Sequence, residues 1–111
     1  MFDLFGMMDK IGKLKDAVED VKNKTDRMEV SAAGHDDQVQ VVSSVSKKIQ
    51  SITIAEELLK PENKALLEET LLNTVNNALR EAHRTYKEEF KKGTEGLIPN
   101  IPGVDLAKFM G

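Results

Sequence analysis

The stretch MEVSAAGHDDQVQVVSSVSKKIQSITI, residues 28–54, changes period against everything around it, and that change decides the fold. MEVSAAG is a short apolar–polar run closed by Gly34, and HDDQ after it has the composition of a turn. VQVVSSV sets Val39, Val41 and Val45 on one strand face, and IQSITI sets Ile52 and Ile54 together in the same way. Ser43 to Lys48 is the polar break between them. Three short consecutive strands joined by such breaks predict an antiparallel meander.

On either side the period is helical. Upstream, Leu4, Met7, Ile11, Leu14, Val18, Val21 and Met28 follow a 3–4 alternation, with Thr25 in the one polar place. That heptad-like seam predicts an amphipathic helix from about residue 7 to residue 27. Lys10 and Lys24 lie on one flank of the seam, Lys15 and Lys22 on the other, and Asp9, Asp16, Glu19 and Asp26 on the outer face. Downstream, Pro61 falls where a helix favours its first turn, followed by Glu62, Glu68 and Glu69. Leu66, Leu67, Leu71, Leu72, Val75, Ala78, Leu79, Ala82, Tyr86 and Phe90 then make a wide apolar face, and Gly93 and Gly96 end the helix. The expected architecture is α+β, an αβββα protomer in one domain over residues 1–95. Residues 96–111, with two prolines in GLIPNIPG, read as an extended tail.

The 111 residues include 40% hydrophobic types but four Phe, one Tyr and no Trp, so the core is mostly aliphatic and pairing between copies is favoured. The absence of Cys excludes disulfides, thiol catalysis and cysteine-ligated metals. No apolar run approaches a membrane span, and MFDLFGMMDKIGK lacks a basic leader region, which points to a cytoplasmic protein without a membrane partner. His35 and His83 have no partner spacing for catalysis or zinc, KGTEG matches no phosphate loop, and Asp36–Asp37 is a weak cation motif. The expectation is no enzyme, no cofactor, no metal and no small-molecule substrate.

Charge is what remains. The net charge is −3, yet residues 80–92 hold Arg80, Arg84, Lys87, Lys91 and Lys92 against three Glu. Arg80, Arg84, Lys87 and Lys91 form one stripe on a helix, long enough to follow several phosphates of a duplex. The same stripe is equally what the wet side of an amphipathic helix looks like, and base near a helix C-terminus suits the helix dipole. Residue pattern alone leaves both readings open, together with a small acidic adaptor or chaperone that holds a polypeptide and binds no DNA.

The order of local stretches resembles the YbaB/EbfC family of small bacterial nucleoid-associated proteins. The likeness runs through the N-terminal MF and its Met/Lys-rich helix, MEVSAAG, VQV, ITIAEELL, LLEETLLNTVNNALREA and GLIPNIPG. It implies an αβββα protomer that dimerises through its sheet, with projecting helices, and that binds duplex DNA in the nucleoid with limited sequence preference. It also implies DNA contacts from the helices, here Lys10, Lys13, Lys15, Lys22 and Lys24 with Arg80, Arg84, Lys87 and Lys91. Two positions depart from the family pattern. Val45 stands where relatives often have a turn Gly, and Ala55 where they have an Asp cap, a change worth about 1 kcal/mol.

Overall fold

The computed structural model describes residues 4–97, and the expected tail beyond Leu97 lies outside them. Five main elements follow in order: α1 (Leu4–Arg27), β1 (Glu29–Gly34), β2 (Val39–Ser44), β3 (Ile49–Ile54) and α2 (Lys64–Gly93). The 3-10 turns Glu56–Leu59 and Pro61–Asn63 carry the chain from β3 into α2. The strands form one antiparallel sheet in the order β1-β2-β3, the meander that the change of period predicts.

The β1–β2 turn is tight because His35, Asp36 and Asp37 all take positive φ, with Gln38 N–H donating to the His35 carbonyl. Asp tolerates that left-handed region better than most residues do. At the β2–β3 turn the left-handed residue is Lys47 (φ 72°), while Val45 is fully buried and donates its N–H to the Met28 carbonyl. Val45 is therefore a packing residue that ties the turn to the end of α1, and the turn strain has moved two places on. Ala55 opens the first 3-10 turn with no side-chain cap, and Asn63 bridges back to the Glu57 carbonyl at 2.8 Å. Pro61 starts the second turn rather than α2 itself, which begins at Lys64. α1 begins by Leu4, earlier than the seam alone suggests.

α2 lies across β1 and β2 and leaves β3 overhanging. Val39, Val41, Leu58 and Ala78 are the buried centre, with Ala32, Ile54, Leu67, Leu71 and Val75 around it. The helix face on β1 is a ridge of small residues, Thr70, Thr74, Ala78 and Ala82, all buried. Thr74 satisfies its buried hydroxyl by donating to the Thr70 carbonyl at 2.6 Å, and Thr25 does the same to Val21 at 2.8 Å. The approach is close enough that a methyl group on Gly34 would run into the Thr74 hydroxyl and the Thr70 methyl. Ile52 pairs with the fully buried Val41 yet is 47% exposed, because α2 lies over β1 and β2 rather than over β3. Leu66 (36%) and Leu72 (63%) of α2 are uncovered as well, so the apolar face of α2 is wider than the sheet beneath it, and Leu59 of the first 3-10 turn is exposed too.

Gly34→Ala should therefore destabilise the fold by about 1–3 kcal/mol, the usual cost of overpacking a close contact. Urea denaturation checks this. A midpoint equal to the parent's would mean that α2 does not need the gap.

Candidate nucleic-acid interface

The residues of the α2 stripe are all exposed. Arg80 donates to the Asn77 side chain at 2.7 Å, and Arg84 to Glu81 at 2.7 Å, a pairing that raises the Arg84 pKa further. Both guanidiniums are thus steadied one turn away from their own Cα. Lys87 and Lys91 form no ion pair among the described residues.

α1 distributes its lysines differently. Lys13 bonds Asp9 at 3.1 Å on the outer face. Lys24 reaches across to Glu89 of α2 at 2.7 Å, and that hydrogen bond holds the Glu89 carboxyl below its ordinary pKa. Lys10, Lys15 and Lys22 are exposed and form no ion pair among the described residues. Lys24 is thus already engaged within the fold, whereas Lys22, two residues away, is free to meet an anion.

Lys22 also lies where three elements meet. An open groove of about 510 Å³ runs between α1, α2 and the β2–β3 turn, lined by Val18, Lys22, Asp26, Ser46, Lys47, Lys48, Tyr86 and Phe90. Its wall is apolar, with Tyr86 and Phe90 stacked at 6.4 Å between ring centroids, and lysines occupy its rim. Lys47 and Lys48 come from the turn, and the helix-based reading of the sequence passed over them. A pair of lysines beside a left-handed turn is the signal that could have found them. Lys47 Nζ lies 3.5 Å from His83 Nδ1. The His83 pKa is lowered by burial first, and then by Lys47 and Lys87. Lys22, Lys47, Lys48 and Lys87 therefore belong to one neighbourhood. Arg80, Arg84, Lys91 and the lysines of the first half of α1 extend from it along the two helices.

Such an arrangement suits a polyanion followed along its backbone. It presents exposed point charges on rigid helices and, among the described residues, no group of three acidic or histidine side chains placed to hold a metal. Protein–DNA contacts of this kind position a duplex without reading its sequence.

Fold and charge together define a small α+β protein with exposed basic side chains on both helices. The model of the YbaB/EbfC DNA-binding family matches residues 1–97, and the chain belongs to that family. It is 30% identical over 106 residues to a nucleoid-associated protein of Afipia carboxidovorans, covering 96% of this chain and 99% of that one. A nucleoid-associated protein of Clostridium kluyveri is 35% identical over 98 residues, covering 88% of this chain and 84% of the relative. The crystal structure of an uncharacterized Helicobacter pylori protein superimposes with a TM-score of 0.73 at 15% identity, over 79% of this chain and 92% of that one, a likeness of fold.

The His83 neighbourhood gives a pH dependence. Its folded-state pKa lies below the ordinary 6.5, so its contribution to stability is present above that value and is lost as the pH falls through it. Acidification from neutral pH should lower the urea midpoint of the parent more than that of His83→Gln. Equal acid sensitivity would show that burial and the neighbouring Lys47 and Lys87 do not lower the His83 pKa.

Proposed function

We propose that the chain is a homodimeric nucleoid-associated protein of the bacterial cytoplasm. It binds duplex DNA with little sequence preference through phosphate contacts and alters DNA conformation. It acts without catalysis, cofactor or small-molecule substrate. The family match over residues 1–97 carries the reading. Support comes from basic side chains exposed on both helices and the β2–β3 turn. The proposed contacts are Lys10, Lys13, Lys15, Lys22, Lys24, Arg80, Arg84, Lys87 and Lys91, with Lys47 and Lys48 added at the groove. Dimerisation through the sheet is supported by the uncovered Ile49, Ile52, Leu59 and Leu72. Part of the chain's acidity (net −3), on Glu56, Glu57, Glu62, Glu68 and Glu69, sits at or before the start of α2, away from the basic neighbourhood near its other end.

The second reading, a protein-binding adaptor, has one specific observation behind it. Leu4, Phe5, Met7, Met8 and Ile11 are exposed at the start of α1, and phosphate contacts leave them unused.

A DNA titration at several salt concentrations tests the main reading. Log K should fall linearly with log salt, with a slope of about −0.9 per phosphate contact. Replacing Arg80, Arg84, Lys87 and Lys91 with Gln should weaken binding to all sequences alike and make the slope shallower, with stability little changed. The matching set Lys10, Lys15, Lys22 and Lys24 to Gln asks the same of α1, with a small stability loss from the Lys24–Glu89 pair. Parent-like affinity and slope in both sets would contradict the assignment.

A further inference from the structure

α1 and α2 lie side by side over only part of their lengths. Gly93, at the end of α2, meets the Val21 side chain, and Lys24 bonds Glu89 one turn earlier on α2. α2 therefore stops near Val21, while α1 continues back to Leu4, roughly 25 Å farther at 1.5 Å per residue. The heptad seam does not stop with it. Val21 and Thr25 are buried and Leu14 and Val18 half-buried, whereas Ile11, Met7 and Leu4 are 62%, 45% and 57% exposed.

The covered half of the seam shows what kind of helix it accepts. There the apolar positions face α2, and the flanking Lys24 bonds a largely buried acid of that helix, Glu89. The uncovered half repeats the pattern, and among the described residues no element packs on it. Its seam is Leu4, Met7 and Ile11, and its flanks are Lys10 and Lys15, neither ion-paired among the described residues. The single acid between Leu4 and Lys15, Asp9, is on the outer face and already bonded to Lys13.

We propose that the α1 arm from Leu4 to Lys15 docks an amphipathic helix of a protein partner whose own apolar seam is flanked by Asp or Glu. The docked helix continues the line of α2 along the same seam, and its acids meet Lys10 and Lys15 as Glu89 meets Lys24. This rests on the protein-binding reading, and a docked partner competes with DNA phosphates for Lys10 and Lys15, whereas Leu4, Met7 and Ile11 serve the partner alone. A second copy of the arm fits poorly, because seam-to-seam pairing would set lysine flanks against lysine flanks. Methionines at Met7 and Met8 suit such a surface, since an unbranched thioether adapts to the partner's side chains.

Three fluorescent helical peptides of equal length test it, each with Leu and Ile along the seam and with Glu, Gln or Lys on the flanks. Titrated with the full chain and followed by anisotropy, the Glu peptide should bind at least about tenfold more tightly than the Lys peptide, with Gln between. The double variant Lys10→Glu/Lys15→Glu should reverse that order. Ile11→Asp should weaken all three, with an unchanged circular dichroism spectrum showing that the sheet and α2 are intact. Equal binding of the three peptides would overturn the acidic-partner proposal and leave the protein-binding reading standing. Binding of none would overturn both. Capture of phosphatidylglycerol vesicles in place of the peptides would overturn it too, and would assign the arm to a lipid surface.

Discussion

The close approach of α2 to β1 at Gly34 is the constraint on which the rest of the structure depends. A ridge of Thr70, Thr74, Ala78 and Ala82 settles onto the sheet where Gly34 has no side chain, and the helix is thereby fixed over β1 and β2. That placement buries Val39 and Val41 completely and leaves Ile52 on the overhanging third strand half in water. It also sets the far end of α2 against α1 near Val21, so that the first half of α1 projects beyond it. A larger residue at any point of the ridge would move both consequences together. The radius of gyration, 19.5 Å against about 13 Å for a compact domain of similar length, is that of an extended molecule, in keeping with the projection of α1 beyond α2.

Most of the fold was legible because its periods are local. The switch from a 3–4 spacing to alternation at Met28 and back at Pro61 marks both helices and the meander. What was not legible depends on tertiary packing. The strand pattern groups Val45 with the buried Val39 and Val41, whereas the family likeness sets it where relatives have a turn Gly; its side chain is in the core, and only packing shows that Lys47 takes the left-handed conformation. Leu72 reads as part of the buried face of α2, and only the position of the helix over two of three strands shows it to be exposed. The start of α2 is blurred by two 3-10 turns that no propensity argument would separate from the helix.

The basic surface was legible one helix at a time. Periodicity finds Arg80, Arg84, Lys87 and Lys91 because they share a helix face, and it finds the α1 lysines for the same reason. It cannot tell that Lys24 is committed to Glu89, that Arg84 is held by Glu81, or that Lys47 from a turn stands beside His83. Those are contacts between elements or between side chains of particular rotamer. They divide the cations into those the fold already uses and those, such as Lys10, Lys15, Lys22 and Lys87, left to face an anion from outside.

The proposed homodimer rests on the uncovered apolar face beside β3, which a second copy would cover. Sedimentation equilibrium of the full chain at micromolar concentration, beside an Ile52→Lys variant, addresses this directly. The account predicts a parent species of about twice the 12.4 kDa chain mass and a shift towards monomer in the variant. A folded, stable parent monomer at that concentration would contradict it.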